Sequence, residues 1–271
     1  MPELPEVETT LRGLMPHLLG RRVLQVLVRT PALRWPLPDN LAELLSGQTI
    51  LGLSRRAKYL LIAFEHGTVL LHLGMSGHLR LVPSHTPAGK HDHIDLQFND
   101  GQQLRYHDPR RFGALLWIEQ NPHTHPLLCR LGPEPFAAEM TGDYLYGRAQ
   151  GRRATVKSFL MDQRVVVGVG NIYASEALFR AGIHPQRPAG RVSKARFDAL
   201  ASAIREVLSA AIAAGGTTLR DFSNVAGRPG YFSRQLRVYG RSGQPCPNCG
   251  APLSRQRIAQ RASYFCSHCQ H

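Results

Sequence analysis

Met1-Pro2-Glu3-Leu4-Pro5-Glu6-Val7-Glu8-Thr9-Thr10 opens the chain, and the reading of its continuation decides how the first domain is built. Val7, Leu11, Leu14 and Leu18 recur at helical spacing, so residues 5–19 are expected to form a helix with one apolar face. Pro16 and Gly20 mark where that helix should stop. Such a helix anchors the start of the chain against a core and holds Pro2 still, as a nucleophile requires. Removal of Met1, which the small residue after it permits, would leave Pro2 as a secondary amine. An α-amino group titrates near about 7.7–8.0, so a useful fraction is unprotonated at neutral pH. A free amine attacks an electrophilic carbon and forms a Schiff base with an aldehyde, and Glu3 beside it can move protons. The plain alternative is a flexible terminus without chemistry.

Downstream of the helix, residues 22–118 alternate as short strands: Arg22–Arg29, Gln48–Leu53, Tyr59–Phe64, Thr68–Leu73, His78–Val82, His93–Phe98, Gln103–Tyr106 and Gly113–Ile118. Asn99-Asp100-Gly101 is a hairpin signal. Strands of this length with tight turns argue for a sandwich or barrel. Residues 121–138, rich in Pro and His, read as a connector, and helices dominate from about 140. Thr155–Met161 and Asn171–Arg180 are expected helices, joined by Met161–Gly170, in which Gly168 and Gly170 free the backbone to turn and Asn171 is a candidate cap. Ser193–Ala214 is the strongest helix, with Phe197, Leu200, Ile204, Leu208 and Ala211 as its stripe and Gly215-Gly216 as its stop.

The 271 residues carry a net charge of +14, from 33 basic and 19 acidic side chains. That imbalance favours a polyanionic partner, nucleic acid ahead of an acidic membrane surface. From Phe222 to His271 there is no Asp or Glu, against seven arginines, and an arginine fork suits phosphate. No apolar run of 18 residues is present, so no membrane span is expected. The acidic, proline-containing start is unlike a secretory signal, and a cytoplasmic location is expected.

Cys246-Pro247-Asn248-Cys249 and Cys266-Ser267-His268-Cys269 are separated by sixteen residues. Paired C-x2-C at this spacing suits a four-thiolate zinc site with a β-hairpin between the pairs. Two disulfides are the alternative; a reducing cytoplasm and an isolated fifth cysteine, Cys129, count against them. Four sulfurs fill the coordination sphere, so one Zn2+ would be structural, not catalytic. Cys129 is expected to be a small buried residue. The hairpin carries Arg255, Arg257 and Arg261, an acid-free loop suited to a nucleic-acid groove.

Pro2-Glu3-Leu4-Pro5-Glu6-Val7-Glu8 resembles the N-terminal signature of the formamidopyrimidine-DNA glycosylase family, and the resemblance extends to Gln270 through several independent motifs. It implies that Pro2 attacks the deoxyribose C1′, that Glu3 assists ring opening, that Glu6 lies near the sugar, and that Lys58 contacts phosphate and supports elimination. Leu73–Leu79 and Asp108–Gly113 resemble the two loops that probe the duplex, with Met75, Arg110 and Phe112 entering the gap left by the extruded base. His91 is the implied phosphate contact of Lys90–His93; His72 and the run Arg152-Arg153 are weaker candidates. Gly151 stands where the family often has lysine. Val167–Ala174 resembles the helix–two-turns–helix motif with Asn171 binding phosphate. Gly215–Phe222 resembles the start of a loop that closes over the flipped base, and Arg261 corresponds to the arginine for phosphates flanking the lesion.

The resulting expectation is an α+β chain. A catalytic β-sandwich with its N-terminal helix occupies 1–130, a helix–two-turns–helix DNA-binding domain 131–225, and a zinc-finger β-hairpin 236–270. Its implied work is excision of oxidised purines from double-stranded DNA by a bifunctional glycosylase and abasic-site lyase, acting as a monomer. The nearest rival is the related oxidised-pyrimidine glycosylase, endonuclease VIII; a rival of another class is a non-catalytic zinc-ribbon DNA-binding protein. Leu4–Val7 and the Met75, Arg110 and Phe112 set favour the purine type, and a binding module has no use for Pro2-Glu3 or Lys58.

Overall fold

Glu3 sits in extended backbone ahead of helix α1 (Leu4–Leu18), and Pro5, at the second helical position, is pre-set in φ where no intrahelical donor is needed. The computed structural model describes residues 2–217 and 231–271. Val7, Leu11, Leu14 and Leu18 are all buried as their spacing requires, and full burial of such a side chain contributes about 1.5–3 kcal/mol. The helix does not stop at Pro16, which lies inside its last turn. Pro16 is exposed, so the carbonyl left without a donor is on the solvent side. Gly20, at φ +77°, supplies the left-handed residue after the end.

Eight strands follow: β1 (Val23–Val28), β2 (Ile50–Arg56), β3 (Tyr59–Phe64), β4 (Gly67–His72), β5 (His78–Pro83), β6 (Asp92–Phe98), β7 (Gln102–His107) and β8 (Ala114–Ile118). Each overlaps its expected range. They form two antiparallel sheets, ordered β1-β6-β7-β5 and β2-β3-β4-β8. The fold is therefore the sandwich, not the barrel. Its core takes leucines of α1 with residues of both sheets, among them Ile50, Leu60, Leu71, Ile94, Leu104 and Tyr106. Helix α2 (Leu41–Leu45) was not foreseen; five residues between strands are too few to show a period. Helix α1 packs on β2 and β3.

The remaining elements are α3 (Gly142–Ala149), α4 (Val156–Met161), α5 (Asn171–Arg180), α6 (Lys194–Ala213) and the hairpin β9 (Ser254–Ile258) with β10 (Arg261–Phe265). The expected stripe of α6 is buried throughout. Gly142, a poor helix former, begins α3 because a Cβ there would stand 2.6 Å from the Asp198 backbone. The cap of α5 is Gly170, not Asn171, which is the first helical residue and has its side chain engaged elsewhere. Two compact units result. One comprises the described parts of Met1–Cys129 and Ala214–Tyr231, the other Arg130–Ala213 and Phe232–His271. Cys129 is exposed, contrary to expectation, because it lies past the last sandwich strand in the connector. No helix among the described residues is long and apolar enough to cross a membrane.

Candidate active site and nucleic-acid interface

Pro2, Glu3 and Glu6 are all buried. The Glu3 amide donates to Glu6 Oε2 at 2.8 Å, and the Thr217 amide donates to Glu6 Oε1 at 2.8 Å. Glu6 thus joins the start of α1 to the segment after α6, and its carboxylate is committed to backbone donors. Gly216, at φ +81°, would bring a Cβ to 3.2 Å from Glu6 Oε1, so the close approach needs glycine on both counts. Residues 218–222 of the expected closing loop lie outside the described residues.

Lys58 occupies the turn between β2 and β3 and is only 7% exposed. Arg55 Nε donates to Glu8 Oε2 at 2.8 Å and Arg55 Nη1 to the Ala57 carbonyl at 2.9 Å. The turn bearing Lys58 is therefore tied to the helix that follows Pro2 and Glu3.

Met75 lies half-buried in the loop joining β4 to β5, and Arg110 and Phe112 are exposed in the loop joining β7 to β8. Phe112 is 46% exposed, an apolar ring held in water, and the Arg110 guanidinium lies 4.7 Å from its centroid. A cavity of about 550 Å3 is lined by Leu33, Arg34, His72, Met75 and Phe112, among others. His91 is half-buried, edge-on to His107 at 5.9 Å. His72 behaves otherwise than a phosphate-binding cation. Burial, then the nearby Lys58 and Arg34 charges, push its pKa down to about 4, and its Nδ1 accepts the Gly74 amide at 2.9 Å.

In the second unit, Asn171 Oδ1 accepts from Lys157 Nζ at 2.7 Å, and Asn171 Nδ2 donates to the Ala262 carbonyl at 3.1 Å and to the Tyr239 hydroxyl at 3.2 Å. Lys157 Nζ also donates to Ser263 Oγ at 2.7 Å and to the Ala262 carbonyl at 3.2 Å. At 1% exposure, this ammonium sits beneath both Asn171 and the strand that begins with Arg261. The sequence carried no sign of it, since a lysine on a short helix reads as solvent-facing. Arg261 is exposed at the hairpin tip. Arg152 is half-buried, with Nε on the Arg148 carbonyl at 3.0 Å and its guanidinium 5.6 Å from the Phe159 ring. Gly151, at φ +71°, follows α3 in the left-handed region, where a lysine would be strained.

The four cysteine sulfurs lie within 4.8 Å of one another, with Cys246 and Cys269 at 3.9 Å and Cys249 and Cys266 at 3.5 Å. Tetrahedral thiolates on zinc at about 2.3 Å stand about 3.8 Å apart, so the residues fit one structural Zn2+. His268 is exposed.

Four described non-glycine residues have positive φ: Ala57 at 54°, Arg111 at 52°, Ala259 at 43° and Gln260 at 68°. Ala57 precedes Lys58, Arg111 separates Arg110 from Phe112, and Ala259-Gln260 precede Arg261. Left-handed backbone costs a non-glycine residue of order 1 kcal/mol or more, and such strain gathers at functional sites. Here every instance presents a candidate DNA-facing side chain.

The described residues thus combine an antiparallel sandwich behind a proline-led helix, a set of helices and a hairpin whose four cysteines suit one zinc ion. Residues 1–115 match the family model of the formamidopyrimidine-DNA glycosylase N-terminal domain, 131–223 that of its H2TH domain, and 243–271 the zinc finger found in FPG and IleRS. The chain is 62% identical over 270 residues to a formamidopyrimidine-DNA glycosylase of Syntrophotalea carbinolica and 59% over 276 residues to one of Alkalilimnicola ehrlichii, covering 100% of each chain in both cases. Among solved structures, it resembles MutM (FPG) of Thermus thermophilus, at 42% identity and TM-score 0.89 over 99% of this chain and 98% of that one. It also resembles Lactococcus lactis Fpg in complex with DNA containing an abasic site, at 33% identity and TM-score 0.92 over 99% of both chains. The chain belongs to the formamidopyrimidine-DNA glycosylase family.

Proposed function

We propose that this chain excises oxidised purines, such as 8-oxoguanine and formamidopyrimidines, from duplex DNA and then cuts the strand at the abasic site. The observation that carries the reading is the buried Pro2-Glu3 pair held at the start of α1 by the Glu6 carboxylate. With Met1 removed, the Pro2 nitrogen attacks C1′ and the damaged base leaves with the bonding electrons of the glycosidic bond. Glu3 passes a proton to the ring oxygen as the sugar opens, giving an iminium between Pro2 and C1′. That cation acidifies the C2′ proton; its loss expels the 3′ phosphate, and a second elimination expels the 5′ phosphate. Lys58 and Arg261 supply positive charge and hydrogen bonds to these phosphates as they leave, and His91, Asn171 and Arg152 hold the flanking backbone. Met75, Arg110 and Phe112 fill the gap left by the extruded base, offsetting a flipping cost of a few kcal/mol. Cys246, Cys249, Cys266 and Cys269 would hold one Zn2+, which would brace the hairpin that presents Arg261. The enzyme works in the cytoplasm as a monomer.

Borohydride reduction of the iminium tests the reading. Mature protein is expected to be trapped on lesion duplex, and protein retaining Met1, distinguished by intact mass, is expected not to be. Normal trapping by a form without a free N-terminal amine would overturn the mechanism. Parallel cleavage of 8-oxoguanine and thymine-glycol duplexes separates the purine reading from the pyrimidine one.

A further inference from the structure

The loops bearing Met75 and Arg110–Phe112 come from different strand pairs, yet they touch backbone to backbone. A Cβ on Gly74 would lie 2.4 Å from the Gly113 nitrogen and from the Phe112 carbonyl carbon. A Cβ on Gly113 would lie 1.7 Å from the Tyr106 hydroxyl and 2.8 Å from the His72 carbonyl. One fully buried carboxylate, Asp108, lies at this junction. Its Oδ1 accepts the Ser76 hydroxyl at 2.8 Å and the Arg110 amide at 3.3 Å; its Oδ2 accepts the Gly113 amide at 2.8 Å and the Tyr106 hydroxyl at 3.1 Å. Its backbone is engaged as well. The Asp108 amide donates to the His91 carbonyl at 3.0 Å, and His93 Nε2 donates to the Asp108 carbonyl at 2.9 Å. Ser76 adjoins Met75, Gly113 adjoins Phe112, and Arg110 and His91 are engaged through their own main chains.

We propose that Asp108 is the positioning residue that holds the Met75 loop, the Arg110–Phe112 loop and the His91 segment in one register, and thereby sets how strictly the base opposite the lesion is read. The proposal rests on the reading of Met75, Arg110 and Phe112 as the residues that enter the duplex. Arg110 discriminates by donating to the acceptors of an orphaned cytosine, and adenine presents a different edge. Such discrimination depends on where the guanidinium stands, and sub-ångström placement is what a shared buried anchor secures. Four donors need a side chain that accepts on both of its oxygens, as a carboxylate does. An amide at this position keeps one acceptor oxygen and turns an NH2 toward hydroxyl and backbone donors, so the two loops lose their common anchor while volume is unchanged.

The test compares kcat/KM for 8-oxoguanine opposite cytosine and opposite adenine in the full-length zinc-bound protein, with thermal melting of each variant. Asp108→Asn is expected to lower the cytosine-to-adenine ratio by about fivefold or more, and Ser76→Ala and Tyr106→Phe, each removing one bond, by about two- to fivefold. A merely structural role would lower both rate constants by one factor and leave the ratio unmoved. Should Asp108→Asn fail to fold, the Ser76 and Tyr106 variants carry the test. A ratio within about twofold of the parent in every folded variant overturns the proposal. Arg110→Ala separates the two levels. If it loses discrimination while the Asp108, Ser76 and Tyr106 variants keep it, this proposal alone falls; if it too keeps the parent ratio, the reading of Arg110 falls and takes this proposal with it.

Discussion

His72, the last residue of β4, has a folded pKa of about 4 against an ordinary value of 6.5. Between those values the unfolded chain binds the proton and the folded one does not. The contribution is therefore complete above about pH 6.5 and is lost as pH falls toward 4, of order 2 kcal/mol once partial exposure of the ring is discounted. Urea midpoints measured across this window should rise with pH, and His72→Gln should flatten that slope. Lys157 is the second informative residue. Its ammonium donates to Asn171 Oδ1, Ser263 Oγ and the Ala262 carbonyl, and truncation would leave Asn171 Oδ1 and Ser263 Oγ short of that donor. Lys157→Met should cost about 1–3 kcal/mol in denaturant unfolding and weaken duplex binding through misplacement of Asn171 and of the strand bearing Arg261. Unchanged affinity in a filter-binding or anisotropy titration would count against that coupling. Lys157 was unremarkable in the sequence and His72 stood there only as a weak phosphate-contact candidate, because a histidine or lysine has no chemistry of its own until its surroundings are known.

At the level of the element, the zinc hairpin is the least self-sufficient part of the fold. Its buried cluster holds Phe179, Val238, Leu253 and two of the ligand cysteines, with Tyr264 packed against them. So small a core does not offset the ordering of two strands without the metal. Chelation should release one zinc per chain in a colorimetric assay. It should also abolish the Tyr239–Tyr264 ring contact of 4.9 Å, seen as a change in near-ultraviolet dichroism. Retention of that signal in metal-free protein would show the hairpin to be independent of zinc. The β9–β10 turn adds its own strain, since Ala259 and Gln260 occupy the two left-handed positions usually given to Asn-Gly. The sandwich strands, by contrast, were readable from alternation and turn chemistry, and so were α5 and α6. Helix α1 was readable as well, expected over 5–19 and found over Leu4–Leu18, and it runs through Pro16 because a proline in the last turn is tolerated where its freed carbonyl faces solvent.

For the whole molecule, a charge of +14 makes affinity for duplex strongly salt-dependent, with log K falling linearly against log salt. Arg261→Ala should lower that slope by about 1 if Arg261 engages a phosphate, and an unchanged slope in an anisotropy salt series would remove it from the interface. The charge, the paired cysteines, the proline-led helix and the family motifs are properties of order along the chain, and each was legible without coordinates. Zinc ligands were especially so, because each Cys-x2-Cys pair is a local feature whose geometry is set within four residues. Strand order, the choice of sandwich over barrel and the exposure of Cys129 depend on which segments meet, and composition does not encode a meeting. The same holds for the site's supports: Glu6 reaches Thr217, Arg55 reaches Glu8, Lys157 reaches Ser263 and Asp108 reaches Ser76. These contacts span long loops whose closure only the packed core makes favourable, so the chain announced the candidate reactive residues and the tertiary structure alone decided what holds them in place.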